Sequence, residues 1–382
     1  MRALHAVTLH TPTQAFGGPV RVAVNLTGGL AARGVETRIV ALGSGFDGPL
    51  PADVDGRPAR LYPARRVLPG AGFSGITSPA LLAGARRLVR EADVVHVHLA
   101  RDLVTLPVAL AALSAGRPLV VQTHGMVDPS DKALAKLLDA VAVRRVLRRA
   151  DAVLHLTSYE RGALNKVLGG EDPGNGMRLV NGVPAQDRRP RPDGPPRLLY
   201  LARMQARKRP ADFVAAAPEV LRHHPDARFV LAGADEGELG TALKLAESLG
   251  VSDSVDYLGT LAPGAVLGEL RRTHVHVLPS VDEPFPMSVL EALSVGVPSV
   301  VTPTNGLADD LGRSGAGRVA RTPEALAAEI LALLDPAAHD TASEAAWQLS
   351  RTSFSLEAVA DRLHTLYGSV LRPGPRRNTR WT

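Results

Sequence analysis

The sequence predicts an α/β protein built from two Rossmann-like domains. Its 382 residues exceed the length at which a single hydrophobic core usually stops growing, so two domains are expected. Apolar segments typical of buried parallel strands precede loops that contain glycine or basic residues, and amphipathic segments typical of helices follow those loops. A stretch dense in proline, arginine and aspartate, residues 184–197, separates two such series and is typical of a linker.

The same patterns set the predicted domain boundaries. The N-terminal domain is predicted over residues 1–184 and the C-terminal domain over residues 185–353, followed by a helix over 354–371 and a basic tail, 372–382. Residues 43–77 are rich in glycine, proline and arginine, so we expect them to be irregular and to face the acceptor. Residues 131–150 are predicted to form one long helix, and Thr157 and Glu160 to form a capping box for the next helix.

The composition narrows the function classes. The chain has no cysteine, so disulfides and thiolate metal sites are excluded and a reducing cytoplasm is the expected location. No apolar run is long enough to cross a bilayer, and the start of the chain lacks a signal-peptide layout. The net charge of +6 suits anionic partners such as nucleotides or phospholipid surfaces. Few aromatic residues and no recognisable nucleic-acid module argue against a nucleic-acid partner.

The most informative stretch is residues 278–298. An apolar strand precedes it, Glu283 lies in the turn that follows, and a helix is predicted from Met287 to about Gly296. Glu291 then lies about one turn into the helix, roughly 10 Å from Glu283. Between the two carboxylates the first helical turn offers free N–H groups to a phosphate, over Pro286 (which itself has no N–H), Met287, Ser288 and Val289.

A carboxylate, an anion site and a second carboxylate match the hexose, diphosphate and ribose of a nucleotide sugar. Either glutamate alone is better explained as an ordinary solvated or helical residue; the complete stretch favours a binding site. It resembles the E-x7-E signature of retaining glycosyltransferases of family 4, which have the GT-B fold. The Pro-Ser before Glu283, the Pro-Phe-Pro after it and the Leu-Glu-Ala-Leu around Glu291 all fit.

The resemblance implies two Rossmann-like domains that face each other across a cleft, with a C-terminal helix that returns to the first domain. The first domain would bind the acceptor and the second the nucleotide-sugar donor. Glu283 would bind the sugar hydroxyls and Glu291 the ribose. Asn181, Gly182 and Val183 fit the point where the family's chain crosses between the domains.

A basic loop follows the first strand of the C-terminal domain. It contains Arg203 and Lys208, and the chain has only five lysines, so a lysine in this arginine-rich loop hints at a phosphate contact. The resemblance identifies Arg203 and Lys208 as the family's diphosphate clamp. The following Arg209 and Pro210 differ from the usual Lys-Gly.

In the N-terminal domain, Gly17 and Gly18 form a loop that would let backbone approach a ligand closely, although a plain strand-to-helix turn explains them equally well. His124 follows the strand at 118–122, at the edge where open α/β sheets bind ligands. The resemblance places the glycines near the donor phosphate and His124 near the donor sugar; a loop histidine is the alternative. His96 and His98 share a strand face, but no third ligand is evident, so no metal site is predicted.

A basic stripe is predicted on the helix at 131–150. It contains two i,i+4 pairs of arginines, and either a solvated face or docking on anionic lipid explains it. Candidate acceptor or membrane contacts are Phe16, Arg144, Arg145, Arg148 and Arg149.

The resemblance implies transfer of a hexosyl unit from a UDP- or GDP-sugar to a hydroxyl acceptor, lipid-linked or glycan. It also implies retention of configuration, with no metal and no cofactor. The expected catalytic groups are His124, Glu283, Arg203 and Lys208. The enzyme would act in the cytoplasm, with peripheral binding to the inner face of the membrane as an open possibility. A sugar-nucleotide 2-epimerase of the same fold is the main alternative, and a binding protein without turnover is a second one.

Overall fold

The computed structural model describes residues 1–12, 17–68 and 72–372. The chain divides into two compact units. The first combines Met1–Gly182 with the C-terminal segment that begins at Leu356, and the second is Val183–Ser355. The chain therefore passes from the first unit to the second between Gly182 and Val183 and returns between Ser355 and Leu356.

The first unit is organised around an eight-stranded sheet, with a separate two-stranded sheet of β5 and β6. Its described strands are β1 Arg2–His10, β2 Glu36–Gly43, β3 Asp53–Val54, β4 Arg57–Pro63, β5 Arg65–Arg66, β6 Ile76–Thr77, β7 Val94–His98, β8 Leu119–Gln122, β9 Ala152–His155 and β10 Gly176–Arg178. The order is β10-β9-β8-β7-β1-β2-β4-β3, and only the β3–β4 pair is antiparallel. Strand β7 is buried along its whole length, as expected of parallel strands covered on both faces.

The expectation that residues 43–77 are irregular is wrong. Strand β4 pairs in parallel with β2, from the contact of Ile39 with Ala59 to that of Gly43 with Pro63. Proline and arginine alternate in β4 with the less exposed Ala59 and Leu61, which pack against a buried cluster. Polar and proline residues on the outward face are characteristic of strands near a sheet edge, and they hide the apolar period in the sequence.

Helices cover the first unit's sheet. They are α1 Gly17–Ala31, α2 Pro79–Glu91, α3 Thr105–Ser114, α4 Ala133–Leu138, α5 Arg144–Arg149, α6 Ser158–Val167 and the C-terminal helix Leu356–Leu371. Gly17 and Gly18 form the first turn of α1, so the predicted glycine loop is incorrect at these positions.

The long helix predicted over residues 131–150 is present from Ala133 to Arg149, but it contains a π-helical turn, Asp139–Val143, between α4 and α5 that the sequence did not predict. The wider turn accommodates a buried ion pair in which Arg101 donates to both carboxylate oxygens of Asp139, at 2.7 and 3.0 Å. Periodicity cannot reveal such a turn, because the partner Arg101 lies 38 positions earlier in the chain.

The second unit contains a six-stranded sheet in which every pair is parallel. The strands are β11 Arg197–Leu201, β12 Arg228–Ala232, β13 Val255–Tyr257, β14 Val275–Leu278, β15 Ser299–Val301 and β16 Gly317–Val319. The helices are α7 Pro210–Ala215, α8 Ala217–His223, α9 Leu239–Ser248, α10 Pro263–Arg271, α11 Met287–Ser294, α12 Ala308–Ser314, α13 Ala325–Leu334 and α14 Pro336–Thr352. The order is β13-β12-β11-β14-β15-β16, so the direction of winding reverses between β11 and β14.

The predicted α/β class with two Rossmann-like, parallel-sheet domains is confirmed. In each unit the apolar side chains of the strands and their covering helices form the core. Within the described residues, no helix combines the length and apolar character needed to cross a membrane.

The C-terminal helix packs on α1 within the first unit. Arg33 beyond the end of α1 donates to the carboxylate of Asp361 at 2.5 Å and to the backbone carbonyl of Glu357 at 2.8 Å. The two helices approach closely at Gly29, where an added Cβ would lie 2.6 Å from the Cβ of Ala360. A glycine is therefore required by the packing of these helices.

We predict that Gly29→Ala destabilises the first unit by about 1–3 kcal/mol, because the added methyl group would overpack this contact. Gly28→Ala is the matched control, since its added Cβ would meet the Arg57 side chain at an ordinary 3.7 Å and alanine is the better helix former. Urea denaturation followed by circular dichroism measures the free energy of unfolding. Equal stability of the two variants would contradict the described contact between α1 and the C-terminal helix.

Candidate active site

The loops after β11 and β14 lie side by side at the carboxyl edge of the second unit's sheet. This is the position where the winding reverses and where open α/β sheets bind ligands. The two loops are joined by the backbone N–H of Val281, which donates to the carbonyl of Arg207 at 2.8 Å. Arg207 also donates through its guanidinium to the carbonyl of Asp282, at 2.9 Å.

The centre of this edge is an ion pair between Lys208 and Glu283. The Lys208 ammonium donates a hydrogen bond to Glu283 Oε2, and both side chains are buried. Arg207 Nη2 lies 3.8 Å from the same carboxylate oxygen. Burial lowers the pKa of Lys208, and the charge and hydrogen bond of Glu283 oppose that shift. The structure thus brings Lys208 together with Glu283, two of the predicted site residues, and adds Arg207, which the sequence analysis did not select.

The loop after β15 fixes the backbone on either side of Glu283. The N–H of Gly306 donates to the Glu283 carbonyl at 2.8 Å, and the N–H of Asp282 donates to Thr304 Oγ1 at 3.0 Å. Asp282 adopts a left-handed conformation, with φ of 49°, which turns the chain sharply before the glutamate. The Glu283 carboxylate is therefore held by its surroundings before any ligand binds.

Helix α11 begins at Met287, as the sequence predicts. Its N-cap is Pro286, which has an extended backbone and forms no side-chain capping hydrogen bond. The first turn, which contains Ser288 and Val289, therefore leaves N–H groups available to an anion. Glu291 lies on this helix and is buried.

Arg203 has a partner that the sequence did not indicate. Its Nη1 donates to Glu236 Oε1 at 2.9 Å, and the charge of Arg203 is close enough to Lys208 to lower the pKa of that ammonium, after the larger effect of burial. Glu236 lies after Gly233, the residue that follows β12. Only glycine fits there, because φ is +141° and an added Cβ would lie 1.9 Å from the Ala202 carbonyl oxygen.

His124 lies after β8 in the first unit, in a left-handed turn with φ of 52°. Buried Glu160 fixes this turn: its Oε1 accepts from Thr123 Oγ1 at 2.5 Å and from the Gly125 N–H at 2.7 Å. The predicted capping box is only half correct. Thr157 Oγ1 accepts from the Glu160 N–H at 3.1 Å, as a capping box requires. The Glu160 carboxylate, however, accepts from the turn around His124 and from the Leu156 N–H instead of from the Thr157 N–H.

Both nitrogens of His124 face the protein interior. Nε2 lies 2.7 Å from His98 Nδ1, and Nδ1 is buried without a partner among the described residues. The sequence analysis found no third histidine near His96 and His98, and the structure corrects this. His5 on β1 is the register partner of His96 on β7. His5 and His96 are 91 positions apart in the sequence, so only the pairing of β1 with β7 brings the three histidine side chains together.

The predicted basic stripe divides into two parts. Arg144 donates to the carbonyl of Val167, and Arg148 donates to the carbonyl of Leu168 and to Glu171, so these two arginines bind the end of α6 and its following turn. Within the part of the chain that the structure describes, Arg145 and Arg149 form no hydrogen bond or ion pair. Phe16 lies outside the described residues.

Family models match both units. Residues 17–175 match a glycosyl transferase 4-like domain, and residues 185–346 match the glycosyl transferases group 1. The chain is also 30% identical to glycogen synthase of Mycobacterium tuberculosis, over 74% of this chain and 71% of that enzyme. This protein is a GT-B glycosyltransferase of family 4.

Other similar proteins span nearly the whole chain of this glycosyltransferase. The D-inositol 3-phosphate glycosyltransferase of Kineococcus radiotolerans is 29% identical over 96% of this chain and 93% of its own length. The crystal structure of Anabaena Alr3699/HepE in complex with UDP and glucose has a TM-score of 0.75 at 16% identity. The superposition covers 97% of this chain and 100% of the HepE chain, which supports the GT-B fold.

We predict that the Lys208–Glu283 pair of this glycosyltransferase shows strong coupling in a double-mutant cycle. Lys208→Met and Glu283→Gln should each destabilise the second unit by about 3 kcal/mol, because each leaves a buried polar or charged partner uncompensated. The free energy of unfolding of the double variant should be far closer to that of the unmodified protein than the sum of the two single losses would give. Urea denaturation followed by the fluorescence of Trp347, which lies in this unit, provides the measurement. Additive losses would show that the two side chains do not interact.

Proposed function

We propose that this glycosyltransferase moves a hexosyl unit from a UDP- or GDP-sugar to a hydroxyl acceptor, with retention of anomeric configuration. The proposed reaction uses side-chain cations and backbone N–H groups, in place of a divalent metal, to stabilise the leaving diphosphate. The crystal structure of HepE is a complex with UDP and glucose, which supports the choice of UDP for the first tests.

The observation that carries this proposal is the Lys208–Glu283 pair at the carboxyl edge, where the winding of the second sheet reverses. A buried ammonium beside Arg207 and near Arg203 creates a positive potential, and the first turn of α11 adds N–H groups to it. A diphosphate is the natural anion for a site with several cations and a helix N-terminus. The buried carboxylate offers acceptors for hydroxyl groups.

In the proposed reaction, the bond between the anomeric carbon and the diphosphate oxygen breaks first, which leaves an oxocarbenium-like sugar. Negative charge develops on the diphosphate, so fixed cations stabilise the transition state more than the bound donor. The acceptor oxygen then bonds to the anomeric carbon on the face from which the diphosphate departs. A phosphate oxygen takes the acceptor's proton, and the configuration is retained.

Each predicted site residue has a part in this proposal. Lys208 and Arg203 would bind the diphosphate, and Arg203 would then exchange its contact with Glu236 for phosphate oxygens. Glu283 would bind sugar hydroxyls and Glu291 the ribose hydroxyls. His124 is assigned to the transferred sugar. Gly17 and Gly18 would let the start of α1 approach the ligand, which is supported by the open space around Gly18, where an added Cβ would meet nothing within 4 Å.

We further propose that the acceptor is lipid-linked and that the α4–α5 region docks on an anionic membrane surface. Leu137 and Val141 are 58% and 65% exposed, unusual values for large apolar side chains. Arg145 and Arg149, which are exposed and have no ion pair among the described residues, follow them at helical spacing. Apolar side chains flanked by basic ones are typical of helices that lie at a membrane interface.

The proposed donor site predicts that Lys208→Ala lowers turnover of the preferred nucleotide sugar by about 10²-fold or more, because one preorganised cation at the diphosphate is lost. UDP-, GDP- and ADP-sugars are first screened for binding and slow hydrolysis, and turnover is then measured with the best donor. Lys244→Ala, which removes an exposed lysine on α9, is the matched control and should retain the unmodified rate.

Near-normal turnover by folded Lys208→Ala protein, as checked by thermal unfolding, would overturn the clamp assignment. Conversion of the donor to an epimeric sugar nucleotide, without release of the nucleoside diphosphate, would favour the sugar-nucleotide 2-epimerase. Nuclear magnetic resonance of the anomeric proton in the product distinguishes retention from inversion.

For the membrane surface, we expect Arg145→Gln combined with Arg149→Gln to weaken binding to phosphatidylglycerol-containing liposomes, measured by sedimentation, by roughly thirtyfold, since each basic residue contributes about 1 kcal/mol near an anionic surface. Arg86→Gln combined with Arg90→Gln is the matched control, because it removes two exposed arginines at the same spacing on α2. Equal binding by both double variants would exclude the α4–α5 region as the docking surface.

A further inference from the structure

The loops after β11 and β12 carry an ion pair that the proposed reaction must break. Arg203, which is assigned above to the diphosphate, donates from Nη1 to Glu236 Oε1 at 2.9 Å. The other carboxylate oxygen of Glu236 accepts a hydrogen bond from the side-chain amide of Gln205. The loop that is proposed to bind phosphate therefore already binds both oxygens of a carboxylate. This contact needs an explanation, because it occupies a cation that the donor would use.

Arg203 belongs to the positive charge at the carboxyl edge of the second unit's sheet. Burial lowers the pKa of Lys208, and the nearby charges of Arg207 and Arg203 add to that shift. Glu283 already balances the Lys208 ammonium. The Arg203 guanidinium is thus part of the remaining positive charge that a diphosphate would meet, and Glu236 offsets it.

The backbone fixes the loop that presents Glu236, residues 233–238. The N–H of Met204 donates to the Ala234 carbonyl at 2.8 Å. The N–H groups of Glu236 and Glu238 both donate to the Met204 carbonyl, at 3.2 Å. These bonds hold Glu236 beside the loop after β11 and do not involve its carboxylate.

The backbone of Arg203 is held independently as well. Its carbonyl accepts from the Tyr200 hydroxyl at 3.2 Å and from the Gln205 N–H at 2.9 Å. The two side chains that form the ion pair are, by contrast, 43% exposed for Arg203 and 37% exposed for Glu236. The pair can therefore open by rotation of side chains alone, without a change in either loop.

A purely structural role explains the Glu236 carboxylate poorly. Exposed ion pairs contribute little to the free energy of folding, because water screens both charges. The backbone hydrogen bonds of Met204 already join the two loops. The main consequence of the carboxylate is therefore its effect on the Arg203 guanidinium.

The chemistry of the guanidinium makes this effect a competition. An arginine binds carboxylates and phosphates through the same N–H donors and with the same planar geometry. A phosphate that approached Arg203 while Glu236 remained bound would also meet a like charge at close range. A diphosphate must therefore displace the carboxylate before it can bind to Arg203.

We propose that Glu236 is an affinity-determining residue of the donor site, whose carboxylate competes with the diphosphate for Arg203 and so weakens the binding of every ligand whose phosphates contact Arg203. This inference rests on the function proposed above, in which Arg203 binds the diphosphate. The donor and the nucleoside diphosphate product are weakened alike. Glu236 therefore favours release of the product as much as it opposes binding of the donor.

The competing explanation is that Glu236 orients Arg203 for the ligand. In that case the carboxylate would keep its contact with Arg203 when the diphosphate binds, and removing the carboxylate would weaken binding. Competition predicts the opposite, because removing the carboxylate releases the guanidinium. The direction of the change in affinity separates the two explanations.

Isothermal titration calorimetry of the full-length protein tests the proposal. We expect Glu236→Gln to lower the Kd for UDP roughly threefold, the effect of one exposed ion pair. Inorganic pyrophosphate, which has the phosphates without the nucleoside, should show the same change. The titrations are made at about 0.15 M salt, where charges more than roughly 8 Å apart are largely screened.

Glu238→Gln is the matched control, because it removes the same charge two positions further along the same loop. It should leave the Kd for UDP almost unchanged. A double-mutant cycle with Arg203→Gln provides the second control, since Glu236→Gln should no longer tighten binding once the guanidinium is absent. With the donor found in the screen, Glu236→Gln should lower KM roughly threefold. The kcat should stay almost unchanged, because at saturation Arg203 binds the diphosphate in both proteins.

Unchanged or weaker binding of both UDP and pyrophosphate by Glu236→Gln would overturn the proposal. A gain of the same size in Glu238→Gln, or in the cycle without Arg203, would also overturn it. Tighter pyrophosphate binding by Glu236→Gln, together with no binding or transfer of any nucleotide sugar, would overturn the proposed function alone. Absence of UDP and pyrophosphate binding in every variant would overturn both.

Discussion

The buried ammonium of Lys208 is the constraint on which the candidate donor site depends. Removing a charge from water costs several kcal/mol, so an ammonium remains charged in such a place only with a close opposite charge. Glu283 supplies that charge from the loop after β14, and the loop after β15 fixes the glutamate's backbone. Three loops at one sheet edge are therefore positioned by the requirement to neutralise a single buried side chain.

Local backbone geometry directs Lys208 toward this edge. The residue ends a 3₁₀ turn, Ala206–Lys208, and Arg209 follows in a left-handed conformation with φ of 52°. Pro210 then begins α7 at a position where its fixed φ and missing N–H are tolerated. The Arg-Pro pair that departs from the family's usual Lys-Gly thus still ends the loop sharply. An exposed basic loop would not need this geometry, which is consistent with a site that is ordered before ligand binds.

The predicted site residues Lys208 and His124 are buried with different kinds of partner. In the second unit the Lys208 ammonium is balanced by the Glu283 carboxylate, and Arg207 adds a second cation 3.8 Å from the same carboxylate oxygen. In the first unit, burial lowers the pKa of His124 to about 3, and its Nε2 lies 2.7 Å from Nδ1 of the neutral, buried His98. Glu160 completes the arrangement from the other side by binding Thr123 and Gly125 around His124. The first unit also buries charged groups, in the pair of Arg101 with Asp139 and in Glu160.

The sequence alone determined the α/β class and the two parallel-sheet units. It also determined the start of α11 at Met287 and the loop position of Lys208 and Glu283. These features follow from hydrophobic periodicity and from proline and glycine, whose effects extend over only a few residues. It could not reveal the π turn at Asp139, the strand β4, the contact of Arg203 with Glu236 or the neighbours of His124. Each of these depends on partners tens of positions away, such as Arg101 or Glu236. Only the tertiary structure decided them, since strand register and helix packing determine which buried polar groups meet.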